Sequence, residues 1–308
     1  MNSVIYNILP EKIQNLFANL PLQKVNELRL RTNAPIVVAI AGRSFFLTNT
    51  GLSHQPTDLA VTMTKLDLET IVHKAAEYSL YAVNDQIRAG FITIRGGVRI
   101  GICGEVVTNN GEVTTIKNIQ ALNIRVPHQI RGCSYPILPY VFEKNAPLKT
   151  LIISPPACGK TTMLRDIAWQ LCDKYNMPNV LVLDERGEIA AAHQGENQLD
   201  VGAFTDVISG CTKSYGFENG LRSMRPDVII TDELCTAADI EMVKTAAHSG
   251  VCVFASVHAR DISDLRQKPI FRSVIDEQVF DRYIVLTTRD TAGAVAGVFD
   301  RNLKIMCM

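Results

Sequence analysis

The sequence lacks the features that mark membrane-spanning and exported proteins. None of its 308 residues belongs to a run of about 18 apolar residues, the length that a membrane-spanning helix needs. Residues 1–20 have no basic start followed by an apolar core, so they do not resemble an export signal. The 8 cysteines include no C-x-x-C pair, which argues against a zinc ribbon or a thioredoxin-type site. These absences predict a cytoplasmic protein.

The chain also lacks an excess of charge and is poor in aromatic residues. Lysine and arginine number 31, aspartate and glutamate also number 31, and there is a single tryptophan. Proteins that move along nucleic acid present a basic strip, often with aromatic side chains on which bases stack. The composition therefore predicts no nucleic-acid partner. The length and the 47% hydrophobic content suit two domains with buried cores.

A loop between a strand and a helix carries the strongest functional signal. Apolar residues 151–153 predict the strand, and apolar side chains at helical spacing predict a helix from Thr161 to Tyr175. The intervening sequence is typical of a phosphate-binding loop, in which the lysine reaches the β- and γ-phosphates and the first hydroxyl binds Mg²⁺. The residues expected around the phosphates are Ser154, Pro155, Pro156, Ala157, Cys158, Gly159, Lys160, Thr161 and Thr162. The pattern predicts binding of a nucleoside triphosphate with Mg²⁺.

Ser154 departs from the usual form of this loop, which begins with glycine. Glycine is favoured there because it reaches positive φ and lets the backbone close on the ligand. Gly159, Lys160 and Thr161, the residues that contact phosphate in such loops, are unchanged. We therefore expect nucleotide binding, and the alternative is a Gly-Lys-Thr turn that opens an ordinary helix.

A cluster of prolines predicts where the chain divides. Residues 1–130 have a mixed α+β pattern, with hairpin signals at Gly96–Gly97 and at Asn109–Gly111. In residues 150–308 strands alternate with helices, which predicts an α/β domain with a mostly parallel sheet. The proline-rich residues 131–149 are expected to form a linker that permits domain motion.

Acidic and imidazole side chains follow several predicted strands of the second domain. They are Asp184, Glu185, Asp232, Glu233 and His258. Open α/β sheets bind ligands at the carboxyl ends of their strands, so we expect these groups to meet around the phosphate loop. Asp232 is predicted to join Thr161 in binding Mg²⁺, and Glu233 to orient or deprotonate an attacking water.

Three segments resemble the secretion ATPases, the hexameric motors of type II and type IV secretion and pilus systems. Residues 217–233, with Arg225-Pro-Asp227 ahead of an apolar run, resemble their arginine- and glutamate-containing signature. Residues 249–259 resemble their histidine box, and residues 181–186 stand in the place of their aspartate box. The resemblance covers nearly the whole chain. It implies a C-terminal RecA-like P-loop ATPase domain, a smaller PAS-like N-terminal domain and a homohexamer.

Within that superfamily, the chain is similar to the sporulation ATPases of endospore-forming bacteria. The short Arg225-Pro-Asp227 spacing and residues 183–190 carry this likeness. It implies an ATPase in the cytoplasm of the mother cell, peripheral at the inner face of the membrane. Its implied partners are integral membrane proteins of a sporulation channel or secretion complex.

The resemblance also implies roles for single residues. Arg99 and Arg125 match arginines that complete the site of a neighbouring subunit, although they also fit solvated strand positions. His258 is implied to sense the state of the nucleotide. Secretion ATPases usually carry Glu-Asp-Pro where this chain has Asp184-Glu185-Arg186. The sequence therefore leaves open which of Asp184 and Glu185 faces the nucleotide and helps Glu233 to orient the water.

Two other functions remain compatible with the sequence. A ring that binds nucleotide as a scaffold, with little or no hydrolysis, would keep the loop and tolerate Ser154. A nucleic-acid motor on the same core is the weaker alternative, because the chain carries no net charge and no basic strip with interleaved aromatics.

Overall fold

A computed structural model describes residues 2–18, 20, 24–81, 83–287 and 293–307. The chain divides into two compact units between His128 and Gln129. Each unit has its own buried apolar core. No helix in the described part of the chain is long and apolar enough to cross a membrane.

The first unit is a sheet with helices packed against it. The helices are α1 (Asn2–Ile8), α2 (Glu11–Ala18), α3 (Lys65–Ala75) and α4 (Asn84–Arg88). The strands are β1 (Val25–Arg31), β2 (Val37–Ile40), β3 (Arg43–Thr48), β4 (Gly51–Ser53), β5 (Phe91–Ile94), β6 (Val98–Asn109) and β7 (Glu112–Arg125). They form an antiparallel sheet in the order β4-β3-β2-β1-β7-β6-β5. This architecture is α+β, as the sequence predicts.

Local sequence explains the turns and helix ends of the first unit. The hairpin predicted at Asn109–Gly111 is confirmed, and Asn110 and Gly111 have φ of 50° and 84°, as tight two-residue hairpins require. Thr64 and Asp67 form a reciprocal capping box at the start of α3. Helix α3 ends at Ala75, because Glu77 and Tyr78 have positive φ, which a helix does not accommodate.

The second unit alternates strands and helices. Its helices are α5 (Leu138–Val141), α6 (Lys160–Asp173), α7 (Lys213–Asn219), α8 (Ala237–His248), α9 (Ile262–Gln267) and α10 (Arg272–Asp276), with a π-helical turn at Gly220–Met224 and a 3₁₀ turn at Pro269–Phe271. Its strands are β8 (Phe142–Glu143), β9 (Ala146–Pro147), β10 (Thr150–Ser154), β11 (Val180–Asp184), β12 (Thr205–Ser209), β13 (Val228–Thr231), β14 (Cys252–His258), β15 (Arg282–Thr287), β16 (Ala294–Asp300) and β17 (Ile305–Cys307).

The large sheet of this unit has the order β12-β11-β13-β14-β10-β15-β16-β17. The strands from β12 to β15 run parallel, and β16 and β17 are antiparallel additions at one edge. Alternate residues of β10 enter different cores: Ile152 packs in the core that contains α6, and Leu151 and Ile153 pack in the core that contains α8. Burial on both faces explains why the strands are continuous apolar runs.

Residues 131–149, expected to form a linker, fold instead as part of the second unit. Ile137, Leu138 and Val141 are buried in the same core as Ile152. The prolines of this segment therefore interrupt short packed elements. Apolar burial explains the difference, since a linker has no core to enter.

Helix α6 fastens the start of this segment by polar contacts. The fully buried carboxylate of Asp166 accepts the backbone N–H of Gly132 at 2.9 Å. It also accepts the backbone N–H and the hydroxyl of Ser134 at 2.8 and 2.6 Å. Arg131 lies 4.0 Å above the ring of Trp169. These contacts fix the start of the segment to the second unit.

Candidate active site

The carboxyl ends of four neighbouring strands meet at one edge of the large sheet. Strands β11, β13, β14 and β10 are consecutive in the sheet. Asp184, His258 and Ser154 are the last residues of β11, β14 and β10, and Asp232 and Glu233 come directly after β13. The structure thus places these side chains on adjacent strands, as parallel topology requires.

The loop between β10 and α6 contains two residues with positive φ, of which only one is glycine. Gly159 has φ of 89° and caps α6, a conformation for which glycine is suited. Ala157 also has positive φ, at 60°. Ser154 is extended as the last residue of β10, and its buried hydroxyl donates to the Pro155 carbonyl at 2.8 Å. Glycine is therefore not required at position 154 for backbone reasons.

Lys160 opens α6 and folds back over this loop. Its buried Nζ lies 2.8 Å from His258 Nδ1, 3.2 Å from the carbonyl oxygen of Pro155 and 3.4 Å from that of Ser154. Burial lowers the pKa of the Lys160 ammonium, and the charge of Asp232 opposes that shift. The first N–H groups of α6 also have no partners within the helix. Together they form a positive, partly desolvated loop suited to phosphate.

Thr161 and Asp232 lie in direct contact beside this loop. The Thr161 hydroxyl donates to Asp232 Oδ2 at 2.5 Å. The other carboxylate oxygen of Asp232 accepts a hydrogen bond from the hydroxyl of the fully buried Ser256. The same oxygen accepts the Glu233 N–H at 2.9 Å. Asp232 is therefore fixed by hydrogen bonds on both oxygens.

Thr161 and Asp232 suit Mg²⁺ that is bound together with a nucleotide, not a metal ion held by protein groups alone. Within the described residues, no group of three or more His, Cys, Asp and Glu side chains is arranged to hold a metal ion. Mg²⁺ is usually bound by one or two protein oxygens together with substrate phosphates and water. Thr161 and Asp232 supply a hydroxyl and a carboxylate beside a phosphate-suited loop, so they fit a Mg²⁺–nucleotide complex.

Glu233 has a strained backbone and a side chain held from two sides. Its φ is 37°, and its N–H is shared between Asp232 Oδ1 and the Ser256 hydroxyl, the latter at 3.0 Å. Its Oε1 lies 3.4 Å from His258 Nε2, and its Oε2 accepts from Arg186 at 2.5 Å. Such strain is tolerated where surrounding contacts fix the conformation.

The Asp184 carboxylate accepts hydrogen bonds from the loop that follows it. Its Oδ1 accepts the N–H groups of Glu188 and Ile189, and its Oδ2 accepts those of Ala190 and Ala191, at 2.8–3.2 Å. The residue is only 2% exposed. It therefore shapes its own loop and has no oxygen left over for a nucleotide or a water.

Buried Arg165 of α6 supports the same loop from its other side. Its guanidinium donates to the carbonyls of Glu188 and Ile189, both at 2.6 Å. Burial lowers the pKa of Arg165, and the charge of Asp184 opposes that shift. Glu185, the next residue, forms an ion pair with the buried Lys213.

Arg99 and Arg125 lie together in the first unit. They are directly opposite one another in the β6–β7 pair, and the Arg99 guanidinium carbon lies 3.8 Å above the ring of Phe91. Arg125 is exposed and also faces Glu27 of β1 in register. Arg125 thus has a like charge on one neighbouring strand and an opposite charge on the other, so this register alone assigns neither arginine a role.

Sequence reasoning missed two residues that contact the predicted site. Ser256 precedes His258 by two positions in β14, and the period of two in strands places both on the same face. That period was a usable signal. Arg186 gave no such signal, because its contact with Glu233 depends on how the loop after Asp184 folds.

The sequence matches one protein family over nearly its whole length. The sequence model of the family described as "Sporulation stage III, protein AA" matches residues 1–306. Stage III sporulation protein AA of Bacillus subtilis (strain 168) is 35% identical over 308 residues, which covers 98% of this chain and 96% of that protein.

Solved structures show a shared fold at low sequence identity. The ATPase DotB of Legionella pneumophila matches with a TM-score of 0.60 and 15% identity, over 90% of this chain and 76% of that one. The pilus retraction motor PilT, solved with bound ADP, matches with a TM-score of 0.56 and 16% identity, over 89% and 76%. The mixed α/β fold with large sheets is thus shared with the ATPase DotB and the motor PilT.

Proposed function

The chain belongs to the sporulation stage III protein AA family, and from this premise we propose that it is an ATPase that drives or assembles a membrane-associated channel or secretion complex during endospore formation. The second unit would be a RecA-like P-loop ATPase domain, residues 150–308 in the sequence-based division. The first would be a smaller PAS-like domain, residues 1–130.

One observation carries this proposal. A cation and a hydroxyl from Lys160 and Thr161, and a carboxylate from the distant Asp232, meet beside a loop that ends in a left-handed glycine. This arrangement suits the phosphates of ATP and the Mg²⁺ that accompanies them. An acid whose backbone is fixed, Glu233, lies directly beside it.

The proposed reaction is in-line attack of water on the γ-phosphate of ATP. Lys160 and the first N–H groups of α6 would hold the phosphates, and Thr161 and Asp232 would hold Mg²⁺. The metal would neutralise charge on the phosphate oxygens. Glu233 would orient the water and accept its proton, while the new bond from oxygen to the γ-phosphorus forms and the bond to the β-phosphate oxygen breaks.

His258 is positioned to couple the phosphate site to the acid. Its Nδ1 is 2.8 Å from Lys160 Nζ and its Nε2 is 3.4 Å from Glu233 Oε1. Because the charged lysine can only donate, Nδ1 accepts and the ring hydrogen lies on Nε2, the nitrogen nearer Glu233. A change at Lys160 on nucleotide binding would therefore reach Glu233 through this ring.

The remaining assignments extend the likeness to secretion ATPases. In a homohexamer, Arg99 and Arg125 of one subunit would complete the site of its neighbour as arginine fingers, whose removal is expected to lower turnover by about 10³-fold or more. The partners would be integral membrane proteins of a sporulation channel. The ring would lie in the mother-cell cytoplasm, peripheral to the inner face of the membrane.

A nucleotide-binding scaffold ring is the second candidate, and one contact favours it. The ion pair between Arg186 and Glu233 engages the acid that hydrolysis needs. A ring in which that pair never opens would bind ATP and hydrolyse it slowly or not at all.

Mg²⁺-dependent phosphate release from ATP tests the proposal. The wild-type protein, at concentrations that favour a ring, is compared with Lys160→Ala and Glu233→Gln, and nucleotide binding is measured in parallel with a fluorescent ATP analogue. We expect turnover in the wild type, loss of binding in Lys160→Ala, and binding without turnover in Glu233→Gln. Wild-type binding without turnover, even with a membrane partner added, would support the scaffold.

A further inference from the structure

Arg186 makes a direct ion pair with the carboxylate proposed to orient the attacking water. Its Nη1 lies 2.5 Å from Glu233 Oε2. The arginine side chain is 58% exposed, and that of Glu233 is 20% exposed. The meaning of this contact rests on the ATPase function proposed above.

The backbone that presents Arg186 is held rigidly. Asp184 accepts four backbone N–H groups from Glu188 to Ala191, and buried Arg165 donates to two carbonyls of the same loop. The Arg186 guanidinium is largely exposed, so it can leave Glu233 while its backbone stays in place. The ion pair can therefore open by movement of the Arg186 side chain alone, without a change in the backbone of the loop.

Glu233 is restrained on its other side as well. His258 lies 3.4 Å from Oε1, and the thiol of Cys235 donates to the same oxygen at 3.5 Å. Burial, together with the charge of Glu233, raises the pKa of the Cys235 thiol and keeps it a donor. With Arg186 in place, both oxygens of Glu233 have donors, which weakens the carboxylate as an acceptor for a water proton.

We propose that Arg186 is a latch on Glu233: a positioning residue that keeps the carboxylate from orienting water and so sets a low basal rate of hydrolysis. This residue does not follow from the family likeness, since secretion ATPases usually carry proline at its place in the aspartate box. Two states follow, one with the ion pair closed and slow, and one with it open and competent.

Steady-state hydrolysis at saturating ATP separates these states. Arg186→Ala should raise kcat by up to about fivefold, the factor by which a partly exposed ion pair shifts a two-state population. The KM for ATP should stay unchanged. Arg186→Lys keeps the charge without the planar fork and should give an intermediate rate.

Salt provides a second measurement that a merely structural role would not change. Raising the ionic strength from about 0.05 to about 0.3 M screens exposed ion pairs, so wild-type kcat should rise. The kcat of Arg186→Ala should not follow. Arg301→Ala is the matched control, because Arg301 pairs with Asp281 at 3.0 Å with similar exposures of 53% and 13%, outside the active site.

A double variant tests whether the effect acts through Glu233. Arg186→Ala combined with Glu233→Gln should have no turnover, whereas Arg301→Ala should match the wild type. A wild type that hydrolyses ATP as fast as or faster than Arg186→Ala would overturn the latch and leave the ATPase intact. If no variant hydrolyses bound ATP, including Arg186→Ala, both the latch and the ATPase proposal are wrong.

Discussion

Strands β11 and β13 are neighbours that end alike in sequence and differently in structure. Each is a buried apolar strand followed by an acidic pair, Asp184–Glu185 after one and Asp232–Glu233 after the other. Asp184 accepts hydrogen bonds from backbone N–H groups, whereas Asp232 contacts Thr161 and Ser256. The role of a strand-end acid is therefore decided by where the chain goes next.

The chain after β11 turns back on itself. Gly187 and Ala191 have φ of 66° and 50°, and the N–H groups between them converge on Asp184. After β13, Glu233 takes a positive φ of 37° and the chain moves on towards α8. One carboxylate is therefore structural, and the other remains beside the loop that suits phosphate.

The largest expected effect is on stability, at Asp184. Asp184→Ala leaves four N–H groups without their acceptor and the charge of Arg165 less compensated. We expect the free energy of unfolding to fall by about 3–5 kcal/mol, measured by urea denaturation. Asp184→Asn, which keeps one acceptor oxygen, should lose less. An unchanged midpoint for the alanine variant would contradict a structural role.

A large effect on activity, with little on stability, is expected at Asp232. Asp232→Asn keeps the shape of the side chain and removes the charge proposed for Mg²⁺. Phosphate release should fall by about a hundredfold or more, equivalent to about 2.7 kcal/mol. The urea midpoint should stay close to that of the wild type. If stability fell as far as in Asp184→Ala, the two acids would not differ in role.

Ser256 should have a smaller effect, because it acts through its neighbours. Ser256→Ala removes a donor to Asp232 and an acceptor for the Glu233 N–H. We expect kcat to fall about tenfold, or about 1.4 kcal/mol, with nucleotide affinity unchanged. Ser256→Thr, which keeps the hydroxyl, should recover part of the rate. Loss of affinity with kcat unchanged would argue against this positioning role.

The smallest change in turnover is expected at Glu185. Its side chain pairs with Lys213, so Glu185→Gln should weaken an ion pair and leave the reaction site intact. We expect kcat within about twofold of the wild type and a loss of stability of about 1–3 kcal/mol, because the buried Lys213 ammonium would keep only a neutral amide as its acceptor. A loss of rate comparable to that of Glu233→Gln would instead place Glu185 among the residues that orient water.

Sequence reasoning reached the strands, the loop and the adjacency of their ends because these depend on local patterns. Strand β10 and the turn at Gly111 lie where apolar residues and turn chemistry predicted them. The hydrogen bonds to Asp184 come from backbone N–H groups up to seven residues further along the chain. They form only because the loop folds back, and composition does not predict that fold. The packing of Ile137 was missed because prolines nearby suggested a linker.

The nucleotide recovered from the protein tests the central claim most directly. Wild type, Glu233→Gln and Lys160→Ala are incubated with Mg²⁺ and ATP, separated from free nucleotide, denatured, and the released nucleotide is identified by chromatography. We predict ADP from the wild type, intact ATP from Glu233→Gln, and little of either from Lys160→Ala. Intact ATP from the wild type in the same amount as from Glu233→Gln would contradict the account.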